Sequence, residues 1–251
     1  MKLRNDGIVV FGGGSGIGKA IAKRLCDAGA SVIIAGRNES KLSETANEIG
    51  SNRLFTKVFD ITDISSQTDF FKSCEDTIGK VGGFVNAAAI GCTQCTKRGY
   101  EPWDITEDEW DAMTDINFKA AFFLMRNEIN FMLERGTRGN ILNIASNAAC
   151  MDIIGSYGAA KLSIIKWTRA LGKRYGLNGI IIIGIAPGAT ITPMIAHYAK
   201  SADQPYPRHA IERFIRPEEI AELAFYLMSD FGEIICGHTV VADGGDNAAT
   251  L

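Results

Sequence analysis

The stretch 8–18 limits the fold more than any other part of the chain. A short apolar run, Ile8-Val9-Val10-Phe11, leads directly into Gly12-Gly13-Gly14-Ser15-Gly16-Ile17-Gly18. Ala20, Ile21, Ala22, Leu25 and Cys26 then recur at helical spacing, Gly29 ends that pattern, and Ser31-Val32-Ile33-Ile34-Ala35 forms a second apolar run. Strand, glycine turn, helix and strand within about thirty residues have the dimensions of a βαβ unit, which sets two parallel strands in one sheet. Glycines let the backbone turn tightly and approach a pyrophosphate closely. The N–H groups and dipole at the next helix's N-terminus then meet the negative charge. Gly12, Gly14, Ser15, Gly16, Ile17 and Gly18 are therefore candidate nucleotide-binding residues. A glycine cluster alone fits a plain turn equally well; the strand before it and the helix after it favour the phosphate.

The alternation continues along the chain. Asn38 caps a helix over 39–49, and 53–59 reads as a third strand. Thr62 caps a helix over 63–78, and 83–87 is a fourth strand. Thr106 and Glu109 make a capping box that opens one long helical stretch through Asn117 to 134. Residues 140–145 form a fifth strand, and a helix around Tyr157 follows, with Gly176 as its stop. The β-branched run 180–186 suits a parallel strand buried on both faces. A polar, irregular segment over 190–215 has the composition of a lid, Pro217 opens a helix to 229, and 239–242 is the last strand. This order predicts one α/β domain over 1–251: a doubly wound parallel sheet of about seven strands with helices on both faces.

Composition narrows the class of function. The net charge is −3 and both signs are spread along the chain, without a basic block for nucleic acid or an acidic tail. The apolar start is too short for a signal sequence or a membrane span, so the expectation is a soluble, cytoplasmic protein. The six cysteines read as free thiols. Cys92-Thr93-Gln94-Cys95 has no second pair, and His197, His209 and His238 lack ligand spacing, so no metal site is expected.

In a doubly wound sheet the ligand lies beyond the carboxyl ends of the strands. Those ends carry the glycine turn, Gly36-Arg37, Asp60-Ile61, Asn86-Ala87-Ala88-Ala89, Ser146 and Pro187-Gly188-Ala189-Thr190. Tyr157 and Lys161, four residues apart, share a helix face at the same crevice. An ammonium beside a phenol lowers its pKa from about 10, which makes Tyr157 a candidate proton donor and acceptor. Asp60 also suits a turn cap, Thr190 and Thr192 suit helix caps, and Asn117 suits a solvated helix position. A carboxylate about twenty residues after the glycines would hold the ribose hydroxyls of NAD, whereas Arg37 with no acid before Glu39 favours the 2′-phosphate of NADP.

These residues, in this order, resemble the short-chain dehydrogenase/reductase family over almost the whole chain. The family's TGxxxGxG turn corresponds to 11–18, its YxxxK to Tyr157 and Lys161, its PGxxxT to 187–192, and its closing Asp-Gly-Gly to Asp243-Gly244-Gly245. The resemblance places its catalytic serine on Ser146 and its catalytic asparagine on Asn117. Three departures stand out: Phe11 replaces the usual threonine, NNAG is reduced to Asn86-Ala87-Ala88-Ala89, and Ser146 precedes Tyr157 by less than the family usually allows.

The resemblance implies hydride transfer between NADP, or NAD, and a carbonyl or secondary alcohol. Tyr157 would exchange the proton, Lys161 would lower the phenol's pKa and hold the nicotinamide ribose, Ser146 would bond the substrate oxygen, and Asn117 would hold a water linking Lys161 to solvent. Asn86, Ala87, Ala88, Pro187, Gly188, Thr190 and Thr192 would complete the cofactor site. Cys92, Tyr100, Trp103, Ile153, Ile154, Met194 and Tyr198 are candidate pocket residues, and their apolar character leans towards a bulky apolar or ring substrate. Two other readings remain open. One is a 3-oxoacyl-thioester reductase that meets an acidic carrier protein through Arg135, Arg138, Lys173 and Arg174. The other is a non-catalytic NADP-binding sensor. A homotetramer or homodimer is expected, with Ala121, Phe122, Leu124 and Met125 as candidate contact residues.

Overall fold

A computed structural model describes residues 1–91, 104–151, 155–197 and 199–246. Within them the chain alternates β1 (Gly7–Phe11), α1 (Gly16–Asp27), β2 (Ser31–Gly36), α2 (Glu39–Ile49), β3 (Leu54–Val58), α3 (Gln67–Ile78) and β4 (Gly83–Asn86). It goes on with α4 (Glu107–Thr114), α5 (Ala121–Glu134), β5 (Gly139–Ile144), α6 (Ser156–Tyr175), β6 (Ile180–Pro187), α7 (Pro217–Leu227) and β7 (Thr239–Ala242). The strands form one parallel sheet in the order β3-β2-β1-β4-β5-β6-β7. The chain winds outward from β1 to β3, returns to β4 beside β1, and winds outward again. That reversal opens a crevice between the carboxyl ends of β1 and β4.

Side-chain alternation builds the two layers. Ile8, Val10, Val32 and Ile34 point to one face and pack with Ile21, Leu25, Leu42, Ala224 and Leu227 from α1, α2 and α7. Val9, Phe11 and Ile33 point to the other and pack with Phe71, Phe84, Phe131 and Met132. Every residue of β6 is buried, which accounts for its unbroken apolar sequence.

Phe11 has a clear place in this packing. Its ring lies 5.8–6.3 Å from the rings of Phe59, Phe70 and Phe71. The tie between the β1 turn and the β4 end is made by backbone instead, with Ala87 N–H donating to the Phe11 carbonyl at 3.0 Å.

Three local expectations are corrected. Thr62 does not cap the third helix, because its N–H and hydroxyl both donate to Asp60 Oδ1, at 2.9 and 2.8 Å. Asp63 caps a short turn at Ile64–Ser66, and α3 begins only at Gln67. The long helical stretch from Thr106 is interrupted by a π-helical turn, Asp115–Ala120, that carries Asn117. Leu124 and Met125 are core residues at 1% exposure each, while Phe118 and Phe122 stand out at 43% and 37%.

Among the described residues no helix is long and apolar enough to cross a membrane, and no group of three or more His, Cys, Asp or Glu could hold a metal ion. Cys26, Cys74, Cys150 and Cys236 are free thiols.

Candidate active site

A cavity of about 580 Å³ opens at the carboxyl ends of the strands. Its first wall is the β1–α1 turn. Gly12, Ser15, Gly16, Ile17 and Gly18 line it; Gly14 does not, and its carbonyl accepts from Thr45 Oγ1 at 3.0 Å instead. Two glycines are sterically required. A Cβ on Gly18 would lie 2.3 Å from the Gly12 oxygen, and one on Gly12, whose φ is +75°, would lie 2.6 Å from the Ala88 nitrogen. The Ser15 side chain makes no capping hydrogen bond to α1. The first N–H groups of that helix therefore face the cavity without a side-chain acceptor, the requirement for an anion. A dinucleotide's pyrophosphate fits this cradle, and Thr192, whose side chain lies 3.0 Å from a Cβ built on Gly16, closes it from above.

Arg37, Asp60, Ile61, Ala87 and Ala88 continue the wall, with Pro187, Gly188, Thr190 and Thr192 opposite. Arg37 Nη1 lies 3.9 Å from Asp60 Oδ2, with both side chains substantially exposed. Asn86 is not part of the wall. Its amide nitrogen turns inward and donates to Glu128 Oε2 at 3.0 Å and Asn143 Oδ1 at 2.9 Å.

The chemistry-bearing wall is formed by β5 and α6. Ser146, Tyr157 and Lys161 all line the cavity. Lys161 is 4% exposed, and its ammonium donates to the Ile144 carbonyl at 2.9 Å and lies 5.8 Å from the centre of the Tyr157 ring. Burial pushes the ammonium down to about 8. The effect on Tyr157 differs from the sequence expectation. Burial raises the phenol above 10, and a hydrogen bond with Ser146 offsets part of that rise.

Asn117 is 2% exposed and clamps the loop after β4. Its Oδ1 accepts from Ile90 N at 3.0 Å and its Nδ2 donates to Ile90 O at 2.7 Å. It does not line the large cavity. With Lys161, Asn86 and Asn143 it lines a separate chamber of about 20 Å³, room for one water.

Met194 lines the cavity; Cys92, Tyr100, Trp103, Ile153, Ile154 and Tyr198 lie outside the described residues. The sequence reading missed Ile90, Asn147, Met151, His197, Tyr206, Arg208 and Asp246, all of which line the cavity. Asn147 follows Ser146 directly and Asp246 follows the Asp-Gly-Gly turn, so proximity to known motifs was the signal available for those two. Arg135 and Arg138 flank the start of β5, and Lys173 and Arg174 the end of α6. All four therefore sit at the amino ends of the strands, the end opposite the cavity, with Lys173 about 20–25 Å along the helix from Tyr157.

Residues 12–247 match the family model described as enoyl-(acyl carrier protein) reductase. The 2,5-dichloro-2,5-cyclohexadiene-1,4-diol dehydrogenase of Sphingobium indicum is 33% identical over 256 residues, covering 98% of each chain. The levodione reductase of Leifsonia aquatica is 32% identical, covering 96% of this chain and 94% of the relative. Among solved structures, the 3-ketoacyl-(acyl-carrier-protein) reductase of Brucella melitensis in complex with NADH superposes with a TM-score of 0.83 at 26% identity, over 95% of this chain and 97% of that one.

Proposed function

The chain belongs to the short-chain dehydrogenase/reductase family, and we propose that it moves hydride between NADP, in preference to NAD, and a ring ketone or secondary alcohol. The observation that carries this reading is the meeting of Ser146, Tyr157 and Lys161 on a cavity whose facing wall is a glycine-rich helix N-terminus without a side-chain cap. The nicotinamide, when bound, supplies the hydride.

This chain's own groups supply position and the proton. The glycine turn holds the pyrophosphate and Arg37 the 2′-phosphate, while Asp60, Ile61 and Ala88 border the adenosine side. Ser146 donates to the substrate oxygen as negative charge grows there. Tyr157 gives its proton to that oxygen in reduction; in oxidation it acts as the phenolate, its own proton first leaving by way of Lys161, and takes the alcohol proton. Lys161 lies between the phenol and the water-sized chamber beside Asn117, so it can pass the replacement proton along. Asn117 fixes that chamber by gripping Ile90.

The substrate side supports a ring compound. Ile90, Met113, Met151, Met194 and Tyr206 give it apolar and aromatic walls, and one relative is named for a six-membered ring diol. Arg135, Arg138, Lys173 and Arg174 lie away from the cavity mouth, which favours a small ring substrate over a carrier-bound acyl thioester held by those four residues, while the matched family model and one structural neighbour carry acyl-carrier names. The exposed face of Phe118 and Phe122, both packed edge-on against Trp167 at 4.9 and 5.1 Å, suits a contact between copies in a homodimer or homotetramer. The free thiols suit a reducing, cytoplasmic setting.

The test is a panel of cyclic and linear ketones and alcohols, run with NADPH and with NADH. Turnover of ring substrates with a higher kcat/KM for NADPH is the expected outcome. Nucleotide binding without turnover of any substrate would return the protein to the sensor reading.

A further inference from the structure

The catalytic trio occupies only part of the cavity wall. A second polar group lines the same cavity and has no part in the proton chemistry: Asn147, Arg208 and Asp246. They come from three separate segments, namely the short turn after β5, the irregular stretch before α7, and the chain beyond β7. The Asp246 side chain is 7% exposed. Asn147 Nδ2 donates to its Oδ2 at 3.0 Å, Arg208 Nε to its Oδ1 at 3.3 Å, and Arg208 Nη2 to its Oδ2 at 3.4 Å.

Those distances say what the group is built to receive. Charge-assisted N–H···O bonds usually close to about 2.7–2.9 Å, so the arginine is not drawn fully onto the carboxylate. A guanidinium carries five N–H donors, and only two of its nitrogens address Asp246. The carboxylate, in turn, has acceptor sites beyond the bonds it receives. The group therefore offers a donor and an acceptor side by side, with opposite charges that cancel. A lone arginine would select a carboxylate or phosphate; an arginine already neutralised selects an uncharged oxygen. A hydroxyl can both donate and accept there, and a carbonyl can accept. Because Asn147 directly follows Ser146, this pole lies beside the one where the reacting oxygen is held.

We infer that Asn147, Arg208 and Asp246 form a second polar pole that binds another oxygen of the substrate, so that the enzyme prefers rings with two oxygen substituents, hydroxyketones, diketones or diols, over simple ring ketones. This rests on the hydride-transfer reading above and narrows its substrate class. A site that hydrogen-bonds a substrate hydroxyl rejects the analogue lacking it by up to about 10⁴–10⁵ where it is fully buried. Arg208 is about half exposed, so water can replace part of the contact, and a preference of about 10- to 100-fold is expected here.

The experiment compares kcat/KM for cyclohexanone, 4-hydroxycyclohexanone and cyclohexane-1,4-dione at saturating NADPH, in the native protein, Asp246→Asn and Arg208→Gln. Thermal melts check that each variant is folded. Dividing each variant's preference by the native one cancels the intrinsic reactivity of the ketones. The inference expects at least a tenfold native preference for the two-oxygen substrates and a fall of at least fivefold in that preference in each variant. Arg208 is the more exposed partner, so Arg208→Gln carries the test alone if Asp246→Asn does not fold. Equal native turnover of all three ketones overturns the inference and leaves the oxidoreductase reading intact. An unchanged preference in the variants, with every substrate slowed alike, also overturns it and assigns the trio to holding the wall together. No turnover of any ketone with either cofactor would remove the hydride-transfer reading, and this inference with it.

Discussion

The two walls of the cavity are built on opposite principles. The β1 wall makes its site by leaving side chains out: Gly12 and Gly18 exist so that backbone can meet backbone, and the uncapped start of α1 supplies the donors. The β5–α6 wall makes its site by burying side chains that would be better solvated in water. Lys161 is 4% exposed, and both it and Tyr157 are displaced from their ordinary pKa values by burial. The first wall can only hold a ligand. The second carries a standing free-energy cost, which is the usual mark of groups kept for chemistry rather than for stability.

If this division is right, substitutions in the two walls should fail in different ways. The largest effect is expected from Tyr157→Phe, which removes the proton and little else. Turnover should fall by about 10²–10⁴, while a fluorescence titration should show NADPH binding close to native. Gly12→Ala should do the reverse. Its Cβ would lie within 2.7 Å of the Ala87 and Ala88 backbone at a φ of +75°. A loss of about 1–3 kcal/mol of stability is expected from such strain, together with weakened cofactor binding, read by thermal melts and the same titration.

Lys161→Met sharpens the contrast further, because it should stabilise the fold while abolishing activity. The native ammonium has its pKa lowered to about 8 from 10.5. Between those values the unfolded chain binds the extra proton, so native stability rises with pH across that window, and the burial cost is fully present below it. Unfolding measured at pH 7 should show the variant more stable by about 1–3 kcal/mol, and its stability should lack the native rise between pH 8 and 10.5.

The smallest effect is expected from Glu128→Gln. Glu128 is fully buried behind the β4 end, its Oε1 has no partner among the described residues, and burial holds its carboxyl well above the usual range. The native state keeps a proton that the unfolded chain loses above about pH 4.5. Stability from this group is therefore greatest in acid and declines as pH rises towards the native value. The glutamine retains an acceptor for the Asn86 amide. It should flatten the decline and gain about 1 kcal/mol at neutral pH.

The backbone-built wall was the more legible of the two. A glycine turn between a strand and a helix announces itself by residue type and order, and the β-branched run of β6 could only be a buried strand. Asn38, Thr106 with Glu109, and Pro217 open their helices as local propensity requires. Local rules failed where two polar residues competed for the same backbone, as when Asp60 took the Thr62 donors and delayed α3. They failed again at Tyr157. Its lysine neighbour is visible in the sequence, but the depth of burial that raises the phenol, and the Ile144 carbonyl that the ammonium meets, belong to the tertiary structure.

Glu128 was within reach, since it falls at helical spacing among Leu124, Met125, Ile129 and Met132, all core residues; the pattern places a carboxylate on the buried stripe. Arg208 and Asp246, 38 residues apart in the chain, carry no local sign that they meet.

The most direct test of the account follows the hydride itself. Stereospecifically deuterated NADPH, labelled on either face of the nicotinamide ring, is incubated with a ring ketone, and the alcohol product is analysed by mass spectrometry and NMR. The account predicts deuterium on the carbinol carbon from one of the two labelled forms, at one equivalent per NADPH consumed, and labelled alcohol formed about 10²–10⁴ times more slowly with Tyr157→Phe. NADPH oxidation without deuterium in the alcohol from either form, or undiminished labelled product from the phenylalanine variant, would contradict it.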